Sequence, residues 1–134
     1  MERLVNSCEE QHFQDMSLLH ALGWRTAYRD SIPAGYMTRE ITDDRWTAVF
    51  AKNYEEGIYH GLLLYDGDQP LCCATYGPAR VEQSAGDTIC NFSSPDLAAW
   101  GELVSLYSHP NHWGQGYGSA VMEEILHRMI VSGY

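Results

Sequence analysis

Basic residues are scarce in this 134-residue sequence, and long apolar runs are absent. Eight Lys and Arg against 18 Asp and Glu give a formal net charge of −10, which argues against nucleic-acid binding because phosphate backbones require a basic surface. No segment is long and apolar enough to suggest a membrane span, and residues 1–11 do not resemble a signal peptide. We therefore expect a cytoplasmic protein that binds neither nucleic acid nor membrane. Its length suits a single domain over residues 1–134.

Cysteine is also scarce, and its positions do not form a disulfide pattern. The four residues are Cys8, Cys72, Cys73 and Cys90. Cys72 and Cys73 are neighbours in a predicted strand, so their side chains point to opposite faces of a sheet and do not pair with each other. A zinc site that combines cysteines with His109 and His112 lacks the paired C-x-x-C spacing. We therefore expect free thiols and no bound metal.

The N-terminal part has the pattern of a strand followed by a helix. A short strand is predicted over Arg3–Val5, and Ser7 with Glu10 matches the capping box that starts a helix. Apolar residues then recur at near-helical spacing, at Phe13, Met16, Leu19, Leu22 and Ala27.

A second helix and a hairpin are predicted next. The helix begins with Thr42 as its N-cap and ends at Gly57. Its buried face is predicted to consist of Trp46, Val49, Phe50 and Tyr54. Two strands follow, Ile58–Tyr65 and Pro70–Tyr76, joined by an Asp-Gly turn. Residues 79–99 are longer than a usual strand connection, and we expect a mobile loop there.

The C-terminal third has the pattern strand, glycine-rich loop, helix. Apolar residues within Glu102–Ser108 predict the strand, and Pro110 ends it. Three glycines at alternate positions, Gly114, Gly116 and Gly118, come immediately before a helix with an apolar stripe. Because glycines leave the N–H groups of a helix's first turn open to an anion, this pattern predicts a phosphate-binding loop. A tight turn without a ligand is the alternative interpretation.

Two common phosphate-binding motifs do not fit this loop. The dinucleotide fingerprint G-x-G-x-x-G fails because Ser119 stands where the third glycine would be if the motif began at Gly114. The Walker A loop fails because the sequence has no Gly-Lys-Ser/Thr ending here.

The stretch Trp113–Gly118 resembles the acetyl-CoA signature of the GNAT superfamily of N-acetyltransferases. That signature is Gln or Arg, two residues, Gly, one residue, then Gly or Ala. Gly116 and Gly118 match its two small positions, whereas Trp113 replaces the Gln or Arg. The resemblance implies an α/β fold of the GNAT type, with a central, mostly antiparallel sheet flanked by helices.

The resemblance also implies acetyl-CoA as co-substrate, with direct transfer of the acetyl group to an amine in a ternary complex. The pantetheine arm would pair with the backbone of Leu106, Tyr107 and Ser108 as an added strand does. The pyrophosphate would lie on the loop and the first helical turn, at Trp113, Gly114, Gln115, Gly116, Tyr117, Gly118 and Ser119. A non-catalytic CoA-binding or interaction module of the same fold is the alternative function.

Three further residues are implied near the acceptor amine. Glu102 is the candidate base, as glutamates at this end of the strand are in several GNAT enzymes; a solvent-facing carboxylate is the alternative. Trp24 and Tyr28 match the end of the first GNAT helix, where they would bind the acceptor, although Trp24 fits equally well as a core aromatic. The acceptor itself, a small-molecule or protein amine, is not indicated by the sequence.

GNAT domains continue past this helix with a strand, a helix and a closing hairpin, whereas this sequence ends at Tyr134. The resemblance therefore implies a C-terminally short domain whose strand Glu102–Ser108 lies at an exposed sheet edge. Exposed edges pair readily with other chains. We expect a homodimer that covers this edge, or else a fragment whose missing part does so.

Overall fold

The computed structural model describes residues 1–79 and 99–134. Its four strands are β1 (Glu2–Asn6), β2 (His60–Asp66), β3 (Gln69–Pro78) and β4 (Gly101–Ser108). Its α-helices are α1 (Glu10–Ala27), α2 (Ala34–Glu40), α3 (Thr47–Glu56) and α4 (Tyr117–Val131). Within the described residues the strands form one antiparallel sheet in the order β1-β2-β3-β4, which confirms the predicted mixed α/β architecture and the hairpin.

Helices cover both faces of the sheet because strand side chains alternate between the faces. Leu64 and Cys72 pack with Val121 and Ile125 of α4 on one face. The opposite face packs against α1 and α3 through Phe13, Met16, Leu19, Phe50, Leu63, Tyr65 and Cys73. The neighbouring Cys72 and Cys73 therefore belong to different clusters, and both are free thiols, as predicted.

The predicted capping box at the start of α1 is wrong. Glu9 is the N-cap of α1, and no side chain of the described residues caps it. Ser7 instead extends the pairing of β1 with β2, since its N–H donates to the Gly61 carbonyl at 2.9 Å. This ties Ser7 to the sheet, two residues before the N-cap, where its hydroxyl cannot reach the first helical turn.

The second helix also differs from the prediction. Thr42 does not cap it; its hydroxyl donates to the Asp44 carboxylate at 2.8 Å, and α3 begins only at Thr47. Gly57 ends α3 in the left-handed conformation, as predicted. Of the predicted buried face, Phe50 is buried and Trp46 is half-buried, whereas Val49 and Tyr54 are exposed.

The short helix α2 was not predicted from the sequence. It follows Pro33, which serves as its N-cap, and buries Met37 against α1. A helix of seven residues with one buried side chain has too little apolar periodicity to be recognised.

Strand β4 lies at one edge of the sheet and carries an irregularity. Its register with β3 pairs Thr75 with Ser105 but Tyr76 with Leu103, so Val104 is an extra residue on β4. Such a bulge bends the strand and changes the direction in which its backbone N–H and C=O groups point.

The loop expected at residues 79–99 falls almost entirely outside the described residues, as does Cys90. Among the residues that the structure does describe, no helix has the length and apolar character to cross a membrane.

Candidate functional site

The glycine-rich loop connects β4 to α4 through two residues in the left-handed conformation. Gly114 and Gly116 have φ of 81° and 84°, which residues with a Cβ rarely adopt. Gly118 is different, because it lies in the first turn of α4 without a positive φ. A Cβ added at Gly118 would meet only the Ser108 Oγ, at 3.5 Å, so its lack of a side chain leaves open space in front of the helix.

The first turn of α4 presents backbone donors without helical acceptors. Gly116 is the N-cap, and the helical hydrogen bonds begin with the Ala120 N–H, which donates to the Gly116 carbonyl at 3.0 Å. The N–H groups of Tyr117, Gly118 and Ser119 therefore precede the helical ladder, and no side chain of the described residues caps them. Together with the helix dipole, these donors form a site suited to an anion such as a phosphate.

The outer edge of β4 presents a second set of backbone groups. The His109 N–H donates to the Leu71 carbonyl of β3 at 2.8 Å. Because peptide groups alternate along an antiparallel strand, Leu106 and Ser108 direct their N–H and C=O groups away from β3. By the same alternation the peptide groups of Tyr107 face β3, so a contribution of Tyr107 to a ligand at this edge would come from its side chain, and its predicted role stays a prediction.

Trp113 fixes the loop to this edge. Its indole N–H donates to the Ser108 carbonyl at 2.9 Å. The family signature has Gln or Arg here, whereas tryptophan can only donate one hydrogen bond. The sequence offered no signal for this contact, because it depends on the path of the loop around Pro110–His112.

Few charged side chains lie close to the loop. No Lys or Arg occurs within Trp113–Ser119. His109 accepts a hydrogen bond from the Asn111 N–H at 3.2 Å, and its pKa is lowered by burial and then by the charge of His112. The pKa of Tyr117 is raised by burial, by the nearby charge of Glu2 and by a hydrogen bond with it. An anion at this loop would therefore be held mainly by backbone N–H groups, with a carboxylate close to its edge.

Helix α1 packs closely on β4 at Tyr107. A Cβ added at Gly23 would lie 2.6 Å from the Tyr107 ring, so only glycine permits this approach. The His20 ring lies 4.0 Å from the Tyr107 ring, and its Nδ1–H donates to the Met16 carbonyl at 2.8 Å. Burial lowers the pKa of His20 to about 4, so its imidazole is neutral near pH 7.

Trp24 and Tyr28 lie beside each other in the structure. Their rings lie 4.9 Å apart at the end of α1. Burial raises the pKa of the Tyr107 hydroxyl, against the opposing effect of a hydrogen bond from the Trp24 indole. Trp24 also packs on the cluster that contains Met37 of α2, so it combines a core role with a position beside β4. Tyr28 is 42% exposed and available to a ligand.

Glu102 lies at the other end of β4. It pairs with Gly77 and is half-buried. Ser108 lies six positions further along the chain, which corresponds to about 20 Å along the strand. The predicted residues therefore form two groups, with Trp24, Tyr28, Tyr107 and the glycine-rich loop at one end of β4 and Glu102 at the other.

Within the two described segments, no group of three or more His, Cys, Asp or Glu side chains is arranged to hold a metal ion.

Comparisons with known proteins agree with this geometry. The sequence model of the acetyltransferase (GNAT) family matches residues 22–134. An uncharacterized N-acetyltransferase of Bacillus subtilis (strain 168), YuaI, is 24% identical over 138 residues. The match covers 97% of this chain but 66% of that relative, so the chain spans about two thirds of its length.

Two solved structures have a similar fold. The PaiA N-acetyltransferase from Thermoplasma acidophilum, in complex with coenzyme A, has a TM-score of 0.67 at 9% identity; 99% of this chain and 74% of that chain are covered. A GNAT family acetyltransferase from Brucella melitensis, in complex with acetyl-CoA, has a TM-score of 0.62 at 13% identity, with 99% and 71% covered. Since the family model matches most of the sequence, the chain belongs to the GNAT family of acetyltransferases.

Proposed function

We propose that this chain transfers an acetyl group from acetyl-CoA to an amine within a ternary complex, without a covalent enzyme intermediate. The observation that carries the proposal is the position of the open N–H groups of α4 directly beside the outward-facing edge of β4. The N–H groups of α4 suit a pyrophosphate, and the outward-facing peptide groups of β4 suit an extended arm that contains amides, such as pantetheine. The structural neighbours solved with coenzyme A and acetyl-CoA support the same ligand.

The pyrophosphate would be held by the N–H groups of Tyr117, Gly118 and Ser119 and by the preceding loop. The pantetheine arm would pair with the outward-facing peptide groups of Leu106 and Ser108. The Trp113 indole occupies one lone pair of the Ser108 carbonyl and holds the loop against this edge. Tyr107 would contribute only its side chain, which faces Trp24 and His20.

The reaction requires the neutral, deprotonated form of the amine. Its nitrogen forms a bond to the acetyl carbonyl carbon, the carbon–sulfur bond breaks, and CoA leaves as the thiolate, which takes up a proton from the solvent. Glu102 would accept the proton that the amine gives up, directly or through water. The bulge at Val104 re-aims the backbone N–H groups near this end of β4, where one of them would stabilise the developing oxyanion.

Two measurements on the purified chain test this proposal. CoA should raise the melting temperature, because a ligand that binds only the folded state stabilises it. Free CoA should then appear from acetyl-CoA only when an acceptor amine is added. A rise in melting temperature without amine-dependent CoA release, across a broad panel of amines, would favour a non-catalytic CoA-binding module. The absence of any CoA effect on melting would contradict both functions.

A further inference from the structure

A cavity of about 450 Å³ lies between the sheet and the helices α1 and α3. Its wall includes the end of β1, the start of β2 and, from β3, Thr75 and Tyr76. Its volume is within the range of sites that hold small molecules, about 300–1,000 Å³. None of the residues of the glycine-rich loop contributes to it.

Two buried hydroxyls line this cavity without a hydrogen-bond partner. Ser7 is 8% exposed and Thr75 is 3% exposed, and neither hydroxyl bonds to any group in the described segments. Buried hydroxyls are nearly always paired, because leaving one unpaired costs about 1–3 kcal/mol. Both residues line the cavity, although their hydroxyl oxygens are closed to solvent in the chain without ligand. A rotation of either side chain would present its hydroxyl to a ligand or water in the cavity.

The cavity lining is uncharged, although the chain carries a net charge of −10. Its polar groups are amides, hydroxyls, one imidazole and one thiol, and its apolar groups include Met16 and Phe50. No Asp, Glu, Lys or Arg lines it. A second ammonium group or a carboxylate on the ligand would therefore lose water without gaining a charged partner, which is unfavourable.

The cavity adjoins the bulged end of β4. Thr75 pairs with Ser105 and Tyr76 pairs with Leu103, and paired strands lie about 4.8 Å apart. Glu102 follows in register, opposite Gly77. A ligand that bonds to Thr75 is thus one strand away from the bulge and close to the candidate base.

We propose that this cavity binds the acceptor, and that the acceptor is a small primary amine with a hydroxyl group and an apolar body, and with no second charge. Ser7 and Thr75 would position it by hydrogen bonds to its hydroxyl. This inference rests on the proposed acetyl transfer and narrows it to one class of substrate. Polyamines and free amino acids are disfavoured by the uncharged lining.

The test uses four amines that differ in one feature at a time. Phenylalaninol has the hydroxyl, phenethylamine lacks it, phenylalanine has a carboxylate instead, and spermidine has further ammonium groups. Binding of each to the CoA-saturated chain is measured by calorimetry, and acetylation by CoA release. We expect phenylalaninol to bind most tightly and to be acetylated with the lowest KM.

The variant Thr75→Val removes one hydroxyl at nearly constant volume. It should weaken phenylalaninol binding about three- to tenfold and leave phenethylamine binding unchanged, which corresponds to the loss of one neutral hydrogen bond. Thr47→Val is the matched control, because the Thr47 hydroxyl is also buried and unpaired in the described segments but lines the groove between α1 and α3 instead. The melting temperature of Thr75→Val should stay the same or rise, since an unpaired buried hydroxyl is removed.

Equal phenylalaninol affinity in the wild type and Thr75→Val, or no saturable phenylalaninol binding, would overturn the inference and leave water as the partner of these hydroxyls. A lower melting temperature of Thr75→Val would contradict the premise that the hydroxyl is unpaired. These results are separable from the proposed function. Acetylation of spermidine or phenylalanine, unaffected by Thr75→Val, would retain the transferase and reject the cavity. If Thr75→Val weakens phenylalaninol binding but no acetylation occurs, the result would support the cavity as a binding site and contradict the proposed acetyl transfer.

Discussion

Substitution of Gly118 by Asp should separate the stability of α4 from its capacity to bind CoA. The backbone conformation at position 118 does not require glycine, and a Cβ added there would meet only the Ser108 Oγ, at 3.5 Å. An acidic residue in the first helical turn interacts favourably with the helix dipole, by about 0.3–1 kcal/mol. The Gly118→Asp variant should therefore fold and melt at the same temperature as the wild type or slightly higher.

The same carboxylate should oppose CoA. Two like charges about 4 Å apart repel each other by about 1 kcal/mol in water and about 4 kcal/mol at a partly screened surface. This range corresponds to CoA binding that is weaker by about five- to a thousandfold. Since the pair would be exposed to solvent, added salt should reduce the loss.

Calorimetric titration of CoA and thermal melting without ligand test both halves of this prediction. Gly118→Asn is the matched control, because it adds a side chain of nearly the same size without a charge. It should lose less affinity than Gly118→Asp, and its loss should not depend on salt. A folded Gly118→Asp variant that binds CoA as tightly as the wild type would refute the assignment of this loop as the pyrophosphate site.

Three further predictions address single side chains. Trp113→Phe keeps the ring but removes the N–H that bonds to the Ser108 carbonyl; CoA affinity, measured by calorimetry, should fall about two- to tenfold, and an unchanged affinity would show that the bond does not position the loop. Glu102→Gln should lower kcat by about 10²–10⁴ with little change in CoA affinity, and the loss should shrink as the pH rises and the amine deprotonates unaided; full activity at neutral pH would assign the proton to water or another group. The pKa of His20 is about 4 in the folded chain and about 6.5 in the unfolded chain, so below pH 6.5 the unfolded chain takes up a proton that the folded chain does not. The free energy of unfolding should therefore fall by about 3 kcal/mol between pH values above 6.5 and pH 4. Urea denaturation at a series of pH values measures this loss, and a His20→Gln variant that shows the same pH dependence would assign it to other groups.

The C-terminal third was the most predictable part of the fold because its signals are local. Strand β4, the glycine-rich loop and the start of α4 all depend on residues within a few positions of one another. The same locality explains the correct hairpin and the correct end of α3 at Gly57. The apolar stripe of α4 was predicted less well. It comprises Val121, Met122, Ile125, Leu126, Met129 and Ile130. Val121 and Ile125 are buried, whereas Leu126 and Ile130 are exposed.

Features that depend on distant residues could not be predicted. Ser7 matched a capping box in sequence, but pairing with Gly61 determined its position. The bulge at Val104 follows from the register between β3 and β4, which no single segment specifies. The cavity brings Ser7 together with Thr75, and neither residue carries a sequence signal for a binding site. The glycine at 23 is likewise explained only by the Tyr107 ring that lies against it.

The outer edge of β4 has two prospective partners, and they exclude each other. Within the described segments, β4 pairs only with β3, which leaves the outward peptide groups of Leu106 and the Ser108 N–H available to another strand, while the Ser108 carbonyl already accepts the Trp113 indole N–H. We propose that a second copy of the chain pairs with this edge in a homodimer, whereas acetyl transfer requires the pantetheine arm there. Because CoA would bind only the free edge, saturating CoA should convert dimers to monomers by mass action.

Sedimentation velocity of the dilute protein, with and without CoA, measures this competition. We expect a dimer that becomes monomeric as CoA is added. Gly118→Asp is the matched control, because it should remain dimeric at the same CoA concentration when its binding site is blocked. A monomer at all concentrations would show that the edge does not pair with a second copy. A dimer that persists at saturating CoA would place the contact on another surface and leave the β4 edge to the cofactor alone.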